Sequence, residues 1–237
     1  MTKNRLEAFS DGVIAILITI MVLELTIPHG DRLGDLWGLR YVFVSYVLSF
    51  VYLAIYWNNH HHMLYVTERV TGGVLWANMH LLFWLSLVPF VTGWMGEGGF
   101  APTPTAVYGV VMLMAAIAFY ILQRAIVHSQ GEGSLLAKAI GRDLKGKASP
   151  ILYAIAIPAA FWQPWVSYGV YALVALMWVI PDTRIARAVA AREAARVGRE
   201  AAYAAPEVAE TAREGDETAR EARRRARALD DAVHEGD

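Results

Sequence analysis

From residue 8 on, four polar side chains interrupt the apolar part of RLEAFSDGVIAILITIMVLEL (residues 5–25), namely Ser10, Asp11, Thr19 and Glu24. An unpaired charge inside a membrane-length helix costs several kcal/mol, so each carboxylate needs a partner or a function. Two kinds of chemistry are open. The groups could hydrogen-bond to neighbouring helices, or they could face a pathway for ions or protons. The spacing of these residues leaves both open.

Candidate partners follow in WNNHHHM at 57–63, which ends the second apolar segment, and in Asn78 and His80 of the third. Adjacent histidines on a helix point about 100° apart. His60, His61 and His62 therefore cannot all bind one ion on a regular helix. They also lack the acidic pair and second histidine of a zinc helix. We expect no metal site here, and a hydrogen-bonding role for one imidazole.

Motifs for catalysis are missing from the sequence. It has no Gly-x-Ser-x-Gly, no His-Glu-x-x-His and no phosphate loop, and the Gly-x-Gly-Gly at 96–99 lacks a strand–helix context. The Thr-Val-Gly-Tyr-Gly filter of the usual potassium channels is also missing. The sequence therefore does not favour an enzyme, a nucleic-acid binder or a channel with a carbonyl filter.

Apolar segments dominate the first three quarters of the chain. The 237 residues are 56% hydrophobic with a mean hydropathy of +0.35, although the last 50 or so are polar. Six segments come close to membrane-crossing length, at about 8–28, 40–57, 73–95, 106–127, 149–163 and 165–181. The fifth contains Pro158 and could be a kinked span or a re-entrant hairpin with the sixth; we favour two spans. We predict an all-α integral membrane protein with six transmembrane helices over 1–181.

The basic residues predict the orientation. The loops and ends on one side of the predicted membrane spans contain Lys3, Arg5, Arg69, Arg124, Lys138, Arg142, Lys145, Lys147, Arg184, Arg187 and Arg192. The loops on the other side contain only Arg32 and Arg40. The positive-inside rule then places both termini in the cytoplasm.

Residues 182–237, rich in Ala, Arg and Glu, predict a polar, partly helical cytoplasmic tail. The chain has no cysteine, so disulfides and thiolate sites are excluded.

A helical wheel separates two faces of the first segment. At about 100° per residue, one line within about 40° holds Phe9, Gly12, Ile16, Ile20, Leu23 and Ile27, with Thr19 and Val13 beside it. Ser10 and Asp11 point more than about 100° away from that line. They are expected to face neighbouring helices. The apolar line could contact lipid, a protein core or a pathway.

The same residues resemble a known family. RLEAFSDGVIAILITIMVLELTIP is similar to the first helix of the transmembrane protein 175 family, the lysosomal potassium channels and their bacterial relatives, with Phe9-Ser10-Asp11 as the hallmark triplet. Trp57-x-x-His60-His61, Asn78 and Pro89-Phe90 resemble the second and third helices of that family. The likeness is specific over the first 90 residues and absent in the tail.

The resemblance implies a homotetramer in the bacterial plasma membrane that conducts K⁺ through a central pore lined by the first helix. It implies a constriction at Ile16, a hydroxyl ring at Thr19, and further apolar layers at Ile20 and Leu23. A hydrogen-bonded network would join Arg5, Phe9, Ser10, Asp11, Trp57, His61 and Asn78, with His60 as the alternative to His61. Glu24 would lie at the outer mouth. No cofactor is implied; the partners are lipids, monovalent cations and further copies of the chain.

Two other function classes stay open on the residues alone. A proton-coupled secondary transporter could use Asp11 and a histidine as its relay, although no internal repeat is visible. An intramembrane enzyme would need a nucleophile or a metal set that the sequence does not offer.

Overall fold

The protein is described here by a computed structural model, which covers residues 2–28, 30–131, 134, 136–137, 144–179, 190, 193–199, 202–203 and 218. Over these residues the regular structure is entirely helical. Most of the predicted tail lies outside them, as do Lys138, Arg142, Arg184, Arg187 and Arg192. The orientation inferred from those basic residues therefore stays a prediction.

Eight α-helices and one 3₁₀ turn make up the described part of the apolar region. They are α1 (Lys3–Ile20) with the 3₁₀ turn Met21–Glu24, α2 (Leu33–Trp37), α3 (Arg40–Tyr65), α4 (Gly72–Ser86), α5 (Val88–Glu97), α6 (Pro102–Gln130), α7 (Leu144–Trp162) and α8 (Pro164–Val179). Within the described residues every apolar segment of the sequence is therefore helical, the third as two consecutive helices.

Among the residues that the structure describes, four stretches are long and apolar enough to cross a membrane: Lys3–Glu24, Arg40–Tyr65, Gly72–Glu97 and Pro102–Gln130. The fifth segment forms one continuous helix through Pro158, and Gln163 separates it from the 16-residue apolar helix α8. The chain is thus a helical membrane protein. Six crossings remain a proposal for α7 and α8.

Two of the differences between the helix bounds and the apolar bounds concern the second and third segments. α3 continues eight residues past the predicted end at 57, so that WNNHHHM lies inside the helix and not at its end. Backbone hydrogen bonds continue where hydropathy falls, because a helix end in the interface can be polar. The third segment is interrupted at Leu87, since Pro89 has no N–H to donate and occupies the first turn of α5.

Small residues bring the helices close together. A Cβ on Gly96 of α5 would lie 2.7 Å from the Cα of Val42 in α3. Gly109 of α6 similarly leaves room for the Tyr171 hydroxyl of α8, which donates to the Thr105 carbonyl. Such close approach is how helices gain packing contact in a membrane, where lipid is as apolar as the side chains.

By its contacts the chain divides into two units, Met1–Val189 and Ala190–Asp237. The first unit contains α1 to α8 and the apolar core. In the second unit, residues 193–199 are helical, and Arg196 pairs with Glu193 at 2.6 Å.

Candidate functional site

One face of α1 is buried against the other helices. Leu6, Ile14, Leu17 and Met21 belong to the apolar core, and Ser10 lies among them with no exposed surface. These positions recur every three or four residues, which is the spacing of one helix face. α1 packs mainly against α3, α4 and α5.

The opposite face of α1 is uncovered in the single chain. Ile16 is 56% exposed, Leu23 79% and Phe9 46%, and Thr19 and Ile20 are also exposed. Apart from Thr19 this face is apolar, and the residues are those that the helical wheel aligned. The Thr19 hydroxyl lies 2.9 Å from the Ile16 carbonyl and 3.1 Å from that of Ala15, and donates to this pair.

A chain of hydrogen bonds joins α1, α4 and α3 behind this helix. His60 Nε2 lies 2.7 Å from Asn78 Oδ1, Asn78 Nδ2 donates to Ser10 Oγ at 2.9 Å, and Ser10 Oγ donates to the Leu6 carbonyl at 2.9 Å. Because an amide oxygen can only accept, His60 must donate through Nε2. The neutral imidazole then has a lone pair on Nδ1, which is buried without a partner among the described residues.

A second set of polar contacts lies between the N-terminal half of α1 and the end of α3. Trp57 Nε1 donates to Asp11 Oδ1 at 3.0 Å, and His61 Nδ1 lies 3.1 Å from Glu7 Oε1. The rings of Trp57 and His61 stack with centroids 6.2 Å apart. Two pairs at i,i+4 therefore face each other across the two helices.

The N-terminus of α1 is tied to the same helix by another contact. Lys3 Nζ donates to the Tyr65 carbonyl at 2.6 Å. A cation at the last carbonyls of α3 also complements the negative end of the helix dipole. The N-terminal half of α1 is thus held in place along one side by polar groups.

Comparison with known proteins identifies the family. The model of the family described as endosomal/lysosomal potassium channel TMEM175 matches residues 5–89. A potassium channel from a Chryseobacterium species is 50% identical over 189 residues, which is 80% of this chain and 98% of that protein. The chain belongs to the TMEM175 family. The family consists of ion channels and not of enzymes, in agreement with the absence of catalytic motifs.

Further relatives of the TMEM175 family agree with this assignment. A potassium channel from Streptomyces collinus is 36% identical over 128 residues, covering 51% of this chain and 62% of that protein. The crystal structure of a lysosomal potassium-selective channel TMEM175 homolog from Chamaesiphon minutus superimposes with a TM-score of 0.68 at 28% identity. The match covers 76% of this chain and 97% of that one.

Within this TMEM175 chain, the contacts of the histidines differ from the sequence interpretation. That interpretation placed His61 in the network with Asn78 and kept His60 as the alternative; the imidazole that contacts Asn78 is that of His60. His61 contacts Glu7 and Trp57 instead. The reason is helix phase: one residue turns the side chain by about 100°, from α4 towards α1.

Two residues of the predicted hydrogen-bonded network, Arg5 and Phe9, do not join the other members. Arg5 is exposed and, within the described part of the chain, makes no hydrogen bond or ion pair. Phe9 likewise lies on the exposed face and not among the buried polar groups. Sequence reasoning missed Glu7, although its i,i+4 spacing to Asp11 was a readable signal.

The far end of α1 has an acidic rim. Glu24 lies over Gly93 of α5, where a Cβ would be 3.2 Å from its Oε2. An open pocket beside it is lined by Glu24, Phe90, Gly93, Trp94 and Glu97. Glu97 was not singled out from the sequence, but it ends the third span and so lies at the same level as Glu24.

Proposed function

We propose that the protein is a homotetrameric potassium channel whose pore is lined by the exposed face of α1. Ile16 forms the constriction, Thr19 a hydroxyl ring, and Ile20 and Leu23 further apolar layers. The observation that carries the proposal is the contrast between the two faces of α1, one bonded to neighbouring helices and one left open in the single chain. The potassium channels among its relatives support the choice of ion.

The composition of the open face favours a pore over simple lipid contact. Lipid would cover exposed isoleucines as readily as protein does, so exposure alone does not decide. Gly12 and Thr19, however, lie on the same face as Ile16. A small residue lets helices approach one another closely and a hydroxyl can ligate a cation, whereas neither adds apolar contact with lipid.

The hydrogen bonding of Thr19 suits a cation ligand. Its hydroxyl hydrogen is directed at the backbone carbonyls of the preceding turn. The oxygen keeps two lone pairs, which can ligate a cation. Four such oxygens around an axis replace part of the water that K⁺ loses at the constriction, and K⁺ gives up water more readily than Na⁺.

The apolar layers act as the gate. When the Ile16 ring is narrow, it offers a cation no ligand and excludes water, so that dewetting stops conduction. Widening the ring readmits water and ions. The hydrogen bonds of Ser10 and Asp11 position α1 from behind and do not contact the ion.

We place Glu24 and Glu97 at the outer mouth, where two carboxylates per subunit raise the local cation concentration. This follows if the N-terminus is cytoplasmic and the protein resides in the plasma membrane of a bacterium. α7 and α8 then supply the fifth and sixth crossings.

Bi-ionic reversal potentials of the purified protein in planar bilayers test the proposal. A linear current whose reversal potential follows the K⁺ gradient is expected, with a tetramer by size exclusion and light scattering. Saturating flux that depends on a pH gradient would indicate instead a proton-coupled transporter that uses Asp11 and a histidine.

A further inference from the structure

The side chains of Glu7, Asp11 and His61 form a compact group between α1 and α3. One ligand atom from each, two carboxylate oxygens and an imidazole nitrogen, lie within 4.8 Å of one another. This group is separate from the His60–Asn78–Ser10 chain, because His61 and His60 point in different directions. From these positions we infer a binding site for a divalent transition-metal ion of the Zn²⁺ class that bridges the two helices.

The geometry of the group suits such an ion. Zn²⁺ binds imidazole nitrogen and carboxylate oxygen at about 2.0–2.2 Å in a tetrahedron. Neighbouring ligand atoms are then about 3.4 Å apart by that geometry. His61 Nδ1 and Glu7 Oε1 are already 3.1 Å apart. Rotation of the Asp11 carboxylate would bring in the third ligand, and water would complete the four.

Neighbouring groups orient the ligands. Trp57 donates to Asp11 Oδ1, which leaves the other carboxylate oxygen for a metal. The same indole ring stacks on His61 and limits its rotation. Contacts of this kind to metal ligands fix their direction and raise affinity. The His61 side chain is 42% exposed and that of Glu7 21%, so an ion from solution can reach the group.

The ligand types predict the ion. One imidazole with two carboxylates suits Zn²⁺ and its transition-metal neighbours, whereas Mg²⁺ prefers oxygen ligands only. The expectation of no metal site was drawn from the run of three histidines on one helix. The group described here instead takes one histidine from that run and two carboxylates from another helix.

Zn²⁺ binding to the purified, tag-free protein tests the site. Titration calorimetry of the full chain in detergent should give one Zn²⁺ per chain and no displacement by Mg²⁺. The apparent melting temperature should rise with Zn²⁺. Glu7→Gln and His61→Gln should each weaken the affinity by about 100-fold or more, since second-shell changes alone cost about 10–100-fold.

Two histidine variants serve as controls. His62→Ala, next in sequence, and His128→Ala, at the end of α6, should leave Zn²⁺ affinity and the thermal shift unchanged. Loss of binding in His62→Ala equal to that in His61→Gln would assign the metal to the histidine run and overturn the cross-helix site. Failure of the wild-type protein to bind one Zn²⁺ per chain would overturn the site and leave Glu7 and His61 as a side-chain contact between the two helices. Neither readout requires ion current, so both are independent of the proposed channel function.

Discussion

The two faces of α1 differ in the contacts that their side chains make with other helices. On the buried face, the Ser10 hydroxyl accepts a hydrogen bond from Asn78 and donates one to the Leu6 carbonyl. On the open face, Ile16 and Leu23 are largely exposed in the described part of the single chain. The comparison indicates that specific hydrogen bonds position the helix, and that its apolar side is free for another role. Mutations on the two faces should therefore fail in different ways.

The largest effect is expected on the buried face. Asn78→Leu removes the donor to Ser10 and the acceptor for His60, while it keeps the branching and the number of heavy atoms of the side chain. Each buried polar group left unsatisfied costs about 1–3 kcal/mol, and helix association is modest in strength. We expect little folded, assembled protein by gel filtration after detergent extraction.

Asn58→Leu is the matched control for Asn78→Leu. Asn58 is half-buried on α3 and makes no hydrogen bond through its side chain among the described residues. Its replacement should leave the yield of assembled protein close to that of wild type. Equal losses in the two variants would show that the polar chain does not position α1.

A smaller effect, on conduction and not on folding, is expected on the open face. Ile16→Asn should wet the constriction, raise single-channel conductance and reduce the preference for K⁺ over Na⁺. Ile155→Asn in α7 is the control, because Ile155 is 59% exposed against 56% for Ile16. Similar currents in the two variants would show that Ile16 does not form the constriction.

Thr19→Ala should change selectivity only. Loss of one hydroxyl ring should shift the bi-ionic reversal potential towards that of a non-selective pore, with assembly and conductance largely kept. Thr19→Ser, which retains the hydroxyl, should restore the wild-type potential. A Thr19→Ala channel with the wild-type reversal potential would exclude this side chain from ion coordination.

The smallest effect is expected from truncation at Val197. Removal of residues 197–237 tests whether subunits associate through the membrane helices or through the tail. We expect the same molar mass by light scattering and the same flux in liposomes as the full chain. A shift to monomers would assign assembly to the tail and would weaken the case for the open face of α1.

Sequence patterns predicted the helices well and the contacts less well. The apolar lengths located the helices of the described membrane region except the short α2 (Leu33–Trp37). The helical wheel placed Ser10 and Ile16 on different faces, because helix faces follow from a 3.6-residue period. The choice between His60 and His61 could not be made from the sequence. Two adjacent residues on one helix can be separated only by the position of a second helix, and no pattern within α3 contains that position.

The ends of helices were also beyond the sequence pattern. Hydropathy ended the second span at 57, whereas α3 continues to Tyr65. Glu7 and Glu97 escaped notice for a related reason. Each is a single charge near the end of an apolar segment, where charges are common. The partners of these two residues became visible only in the structure, where His61 contacts Glu7 and where Glu24 lines the same pocket as Glu97.

The hydrogen bonds of Ser10 bear on the order in which the chain enters the membrane. The donor Asn78 lies 68 residues after Ser10, so the bond can form only when α4 has been synthesised, roughly 3–14 s later at about 5–20 residues per second. Until then the Ser10 hydroxyl can bond only to its own helix. Nothing from α6, α7 or α8 contributes to this chain of bonds. A nascent chain that ends after α5 therefore already contains every group needed to lock the first helix, and its insertion can be completed before the second half is made.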